Sequence, residues 1–193
     1  MKKIALTQRI LKNDSYFEIR ETLDINWGRF CQELGFIPVI LPLEYDFTVL
    51  DFDGVILTGG NDLSSVSNNE TDKKRDTFEK SLIKHCIQNQ ISIFGVCRGM
   101  QLINEYFGGT LKKITGHAGV KHFLDNEQEV NSYHNFALDK IGEELEIVNI
   151  AQDGIVESIK HKRLKIYAQM HHPERENPFK TIDLATIKDF FHD

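Results

Sequence analysis

Cys97 stands in the run Gly95-Val96-Cys97-Arg98-Gly99, between an apolar stretch over 91–96 and a helix-forming stretch over 100–107. A cysteine at such a strand-to-helix junction has the form of a nucleophile elbow. The turn leaves no room for side chains at the flanking positions, and glycine two residues to either side relieves that crowding. The sulfur then sits over a helix N-terminus, where unpaired N–H groups and the helix dipole favour thiolate over thiol. The same run also fits a tight turn around a small buried residue.

A thiolate nucleophile needs a base that later protonates the leaving amine, and the base needs a partner that fixes its tautomer. Gln169-Met170-His171-His172-Pro173-Glu174 can supply both, with His172 as base and Glu174 as its orienting carboxylate. Pro173 restricts its own φ and disfavours the helical region for His172, so the pair is held extended. A solvated loop is the plain alternative. Ligation of a metal by both histidines is poor geometry, because neighbours in a strand point to opposite faces.

The elements that must position these groups alternate in the manner of βαβ units around a mostly parallel sheet. Strands are predicted at 3–7, at 36–41 (an edge position, given Pro38), at 53–57 and at 91–96, the last apolar enough to be central. Helices are predicted at 16–34, ending at Gly35, and at 72–89 and 100–107. The second half reads as more β-rich, with strands at 110–114, 127–130, 145–151, 155–160 and 166–169 before a closing helix over 179–191. The expectation is one α/β domain over 1–193, a three-layer sandwich with a mostly parallel central sheet.

A chain of 193 residues, 40% apolar and 27% charged, is composed like an ordinary globular protein. Its net charge of −6 argues against nucleic acid as partner, because phosphate neutralisation needs a basic face. The first apolar run is too short for a signal-peptide core, and no run approaches the roughly 20 residues that span a bilayer, so a cytoplasmic location without membrane contact is expected. The three cysteines, Cys31, Cys86 and Cys97, cannot all pair within the chain, and Cys86 falls on the apolar stripe of its helix.

The elbow GVCRGMQ with the distant HHPE resembles the class I glutamine amidotransferase-like superfamily, whose fold is flavodoxin-like. More narrowly it resembles the γ-glutamyl hydrolases of peptidase family C26, including γ-glutamyl-γ-aminobutyrate hydrolases. LTGGNDL at 57–63, RDTFE at 75–79, GGTL at 108–111 and VNSYHN at 130–135 follow in the order that family shows. The resemblance implies hydrolysis of a γ-glutamyl amide through a thioester on Cys97, with His172 as base and acid and Glu174 orienting it. Glutamate and an amine are released, and neither metal nor cofactor is expected. It further implies an oxyanion hole from the backbone N–H groups of Gly60 and Arg98, and substrate contacts at Gly59, Gln101, Asn131, Ser132, Tyr133 and His134. Taken by itself, Gln101 also fits an exposed helix position.

Two other contexts fit the same motifs. One is a glutaminase subunit that passes ammonia to a synthetase partner; the other is a reactive-cysteine protein on the same fold. The chain also resembles the γ-glutamyl-CDP-amidate hydrolases that serve phosphoramidate decoration of bacterial capsules. Basic clusters at 73–75 and at Lys112, Lys113, His117, Lys121 and His122 either line the site, favouring an anionic leaving group, or are solvated surface. The expected partner is a small-molecule substrate, and a homodimer is compatible with the sequence.

Overall fold

The computed structural model describes residues 1–192. In chain order the elements are β1 (Lys3–Leu6), β2 (Arg9–Lys12), β3 (Ile19–Thr22), α1 (Asn26–Leu34), β4 (Ile37–Ile40), β5 (Gly54–Leu57), α2 (Ser64–Ser67) and α3 (Glu70–Gln88). Then follow β6 (Ser92–Val96), α4 (Arg98–Tyr106), β7 (Leu111–Lys113), β8 (Ala118–Phe123), β9 (Glu129–Tyr133), β10 (Phe136–Leu138), β11 (Leu145–Ile150), β12 (Val156–His161), β13 (Ile166–Gln169) and α5 (Thr181–His192).

The central sheet has seven strands in the order β11-β12-β13-β6-β5-β1-β4. Five of them, β13 to β4 in that order, run parallel, and β12 and β11 add antiparallel at one edge. The fully buried β6 lies in the middle and the proline-bearing β4 at the other edge, as the residue patterns require. From β1 the chain crosses outward to β4, then returns to β5 and proceeds the opposite way to β6 and β13. That reversal is a topological switch point, and right-handed crossovers put α1 on one face and α3 and α4 on the other. Ligand sites in such sheets form outside the carboxyl ends of the strands beside the switch. The segments that follow β1, β5 and β6 there carry Arg9, Gly59-Gly60 and Cys97.

Residues 16–34 do not form one helix, contrary to the periodicity reading. They divide into β3, which pairs antiparallel with β2 in a hairpin, and a nine-residue α1 whose buried Trp27, Phe30, Cys31 and Leu34 keep the helical spacing. The turn residues Asn13-Asp14-Ser15 mark the hairpin, with the Asn13 side chain accepting from the Ser15 amide at 3.1 Å. Two further ribbons stand off the main sheet: β8 with β9, and β7 with β10. Neither β8 nor β10 was expected, because β8 is mostly exposed and β10 is three residues long. Among the described residues no helix is long and apolar enough to cross a membrane.

Candidate active site

Cys97 sits between β6 and α4 with φ 52° and ψ −103°, a region that costs a non-glycine residue about 1–3 kcal/mol. The flanking glycines are sterically required. A Cβ on Gly99 would lie 2.2 Å from the Leu57 carbonyl oxygen, and one on Gly95 would lie 2.8 Å from the Gly99 carbonyl carbon. The bend is pinned by the Cys97 amide donating to the Gln169 carbonyl at 2.8 Å, which ties the elbow to the end of β13. Burial pushes the thiols of Cys31 and Cys86 up to about 11 and about 12, so both are inert packing groups at neutral pH.

Across from Cys97, the His172 ring has its Nδ1 2.7 Å from Glu174 Oε1, with both side chains buried. That bond leaves Nε2 free on the opposite side of the ring, and the charge of nearby Cys97 acts on the imidazole. Gly59 makes room for the imidazole: a Cβ there would lie 2.5 Å from His172 Cε1. The Tyr133 ring meets the imidazole edge-on at 5.6 Å. Asn131 brackets the His172 backbone, accepting from its N–H at 2.9 Å and donating to its carbonyl at 2.8 Å. His171 turns to the other side, its Nε2 lying 3.1 Å from Asp183 Oδ1 at the start of α5.

Burial pulls the His172 imidazolium down, but the negative charges of Cys97 and Glu174 outweigh it and hold the group up at about 10. His172 is therefore expected to stay protonated through neutral pH in the resting protein and to titrate only in the alkaline range. In Cys97→Ala the larger of the two raising charges is gone, so the same imidazole should titrate at distinctly lower pH. NMR of the ring carbon-bound protons in both proteins checks this, and an unchanged titration would show that the sulfur does not hold the ring charged.

Beneath the elbow lies a buried ion cluster. The Arg75 guanidinium, on α3 and fully buried, donates to three successive carbonyls of the loop after β5: Thr58 at 2.8 Å, Gly59 at 3.2 Å and Gly60 at 3.0 Å. Its Nε donates to Glu79 at 3.0 Å, and Glu79 in turn pairs with Arg98, which also pairs with Asp76. Burial lowers Arg75 to about 10, with Arg98 adding to that pull and Glu79 opposing it. Because a trans peptide sets C=O and N–H on opposite sides, drawing the Gly59 carbonyl to Arg75 turns the Gly60 N–H the other way. Gly60, at φ 83°, takes this turn without strain.

A cavity of about 440 Å³ opens over this arrangement, lined by Gly60, Cys97, Gln101, Tyr133, His134 and His172 among others. Three arginines also line it, Arg9, Arg98 and Arg175, the Arg98 guanidinium being committed to Asp76 and Glu79. The Arg9 guanidinium has no ion-pair partner among the described residues, whereas Arg175 pairs with Asp24 at 3.2 Å and lies over the Tyr133 ring. Gln101 is buried rather than exposed, with Nε2 donating to the Phe136 carbonyl at 2.9 Å. The segment 131–134 is split. Tyr133 and His134 line the cavity, while Asn131 holds the His172 backbone and Ser132 donates to the His117 carbonyl at 2.6 Å.

Neither basic cluster lines this cavity. Arg75 lies below it, Lys74 pairs with Glu44, and Lys121, on β8, faces Glu129 of β9 and Glu176 beyond β13. Apart from Arg98, whose side chain is paired with Asp76 and Glu79, the cations at the site are Arg9 and Arg175, which sequence reasoning missed. Arg9 was findable, since it follows the carboxyl end of β1 by three residues.

The arrangement of a cysteine on a strained bend beside an imidazole held by a carboxylate can carry acyl transfer. Comparison with known proteins agrees. The peptidase C26 family profile matches residues 4–124 and 113–174. Over 97% of the chain, and 96% of the relative, it is 42% identical to the γ-glutamyl-CDP-amidate hydrolase of Campylobacter jejuni. It is 29% identical over 82% of its length to the glutamine-hydrolysing GMP synthase of Dictyostelium discoideum, matching 24% of that longer protein. A crystal structure of a glutamine amidotransferase from Thermotoga maritima shares the fold, with TM-score 0.67 at 14% identity over 99% of this chain and 84% of that one. The chain is thus an amide hydrolase that belongs to the peptidase C26 family.

Proposed function

We propose that this enzyme hydrolyses a γ-glutamyl amide through a γ-glutamyl thioester on Cys97. The observation that carries the reading is the strained elbow that presents the Cys97 sulfur to an imidazole steered by Glu174. The thiolate attacks the γ-carbonyl, and the developing oxyanion is met by the N–H groups of Gly60 and Arg98. His172 then gives its proton to the departing amine, the C–N bond breaks, and the thioester remains. Water, deprotonated by the same imidazole, attacks the acyl carbon and releases glutamate and the thiolate. Each oxyanion donor accounts for about 3 kcal/mol of barrier. Gln101, Tyr133 and His134 line the chamber that receives the glutamyl head group.

For the leaving group the reading is a nucleotide-linked amine of the γ-glutamyl-CDP-amidate type. It is supported by the name of the relative that matches along nearly its whole length, and by the unpaired Arg9 guanidinium at the cavity. A guanidinium suits a diphosphate, which offers it two acceptors at once. The alternative, a glutaminase that feeds ammonia to a synthetase, draws on the match to GMP synthase.

Purified chain given equal concentrations of a γ-glutamyl nucleotide amidate, γ-glutamyl-p-nitroanilide and glutamine separates the two by kcat/KM. The expected preference is for the nucleotide conjugate by about 100-fold or more, the worth of two charge-assisted bonds. Arg9→Ala should then raise KM for that conjugate by about the same 100-fold and leave glutamine hydrolysis nearly unchanged. Equal use of all three substrates, or activity only with a synthetase added, would contradict the nucleotide assignment.

A further inference from the structure

Behind the cavity wall, three histidines converge on one buried carboxylate. His117 precedes β8, His122 lies within it, His134 follows β9, and Glu157 belongs to β12 in the main sheet. From Glu157 Oε1 the distances are 3.4 Å to His117 Nδ1, 3.4 Å to His122 Nε2 and 3.3 Å to His134 Nε2. All four atoms are buried and none has a hydrogen-bond partner. Glu157, His134 and His117 are less than 5% exposed.

The outer nitrogens fix the tautomers of two of these rings. His134 Nδ1 lies 3.0 Å from the Phe136 carbonyl, which only accepts, so the proton sits there and Nε2 presents a lone pair to Glu157. His117 Nε2 lies 2.8 Å from Asp153 Oδ2, so its proton sits there and Nδ1 likewise presents a lone pair inward. Lone pairs facing a carboxylate repel one another unless a cation lies between. Protonating the rings instead would crowd positive charges, since the His117 ring centre is 4.7 Å from that of His122 and 4.9 Å from that of His134. The distances also match a metal. Ligands about 2.0–2.1 Å from a tetrahedral ion are separated by roughly 3.3–3.4 Å, the spacing of each ring nitrogen from Glu157 Oε1. His117, His122 and Glu157 offer donor atoms that all lie within 4.8 Å of one another. Imidazoles whose far N–H groups donate to a carboxylate and a carbonyl are the usual outer support of such a site.

We propose that His117, His122 and Glu157 hold a divalent transition-metal ion and that His134, 3.3 Å from the same carboxylate oxygen, swings onto it to close a tetrahedral site, with zinc the best match to three imidazoles and one carboxylate. The protein fills every position, so the ion is structural and takes no part in hydrolysis. It ties the β8–β9 ribbon to β12. That ribbon carries Tyr133 to the cavity and Asn131 to the His172 backbone. The ion would therefore stiffen one wall of the active site from outside.

The test uses tag-free full-length protein, stripped with a chelator, loaded with zinc chloride and dialysed against metal-free buffer. Elemental analysis should find about one zinc per chain. Cobalt(II) loaded in its place should give the intense visible absorption of tetrahedral coordination. His122→Ala, at the rim of the site, and Glu157→Gln should bind zinc about 100-fold more weakly or worse. Removing zinc should lower the Tm of the wild type but not that of His122→Ala. The site is refuted if folded wild-type protein with excess zinc retains well under one ion per chain, or if His122→Ala retains the full complement with unchanged affinity. Since these readouts involve no γ-glutamyl substrate, they stand apart from the hydrolase reading.

Discussion

Cys97→Ala is expected to lower kcat by about 10⁴ to 10⁶-fold, the loss that follows removal of a covalent nucleophile while binding and oxyanion contacts survive. The fold should persist, because the sulfur is a small buried group and the bend is held by backbone bonds and by the glycines around it. Alanine inherits the same φ of 52° and adds no new clash. Glutamate release measured beside a thermal melt separates the two effects. Near-normal turnover in this variant would remove the thioester from the mechanism, whatever the melt showed.

The second large effect is expected at Arg75, which touches no part of the cavity yet holds three carbonyls of the loop that carries Gly60. Arg75→Met removes the charge, frees those carbonyls and leaves Glu79 to Arg98 alone. A stability loss of about 3–5 kcal/mol follows from breaking a buried network, and a kcat loss of about 10²–10³ from displacing Gly60, the proposed oxyanion donor. KM should move little, since the change is felt where charge appears in the transition state. Arg75→Lys sharpens the test. An ammonium keeps the charge, so part of the stability should return, but it cannot span three carbonyls and the kcat defect should remain. A lysine variant with normal kcat would mean that Arg75 is only a folding element.

These two sites differ in how far their residue types and spacing alone betray them. The Cys97 elbow was legible because a steric demand shows itself as glycine: the spacing in Gly95-Val96-Cys97-Arg98-Gly99 is imposed by contacts of 2.2 and 2.8 Å that any side chain would violate. The opposed directions of His171 and His172 were legible from strand alternation, and the central place of β6 from its unbroken apolar run. The Arg75 cluster was not. A fully buried arginine looks in sequence like any arginine on a helix, and only tertiary packing reveals three carbonyls waiting for it. The histidine cluster around Glu157 stayed hidden for a similar reason, since its members come from three segments, before and within β8, after β9 and within β12, with no spacing that marks them as a group. The hairpin was lost to helical periodicity, because Tyr16, Ile19 and Leu23 imitate a continuation of α1, and with it went Arg9.

In the proposed mechanism the acyl group passes through the Cys97 sulfur. Mixing enzyme with excess γ-glutamyl conjugate, quenching in acid within the first turnovers and mapping the added mass by peptide mass spectrometry tests it most directly. A glutamyl adduct confined to the peptide containing Cys97, formed and discharged at rates that account for kcat, is the expected result. An adduct on another residue, or steady turnover through which Cys97 never carries an acyl group, would rule out the Cys97 thioester.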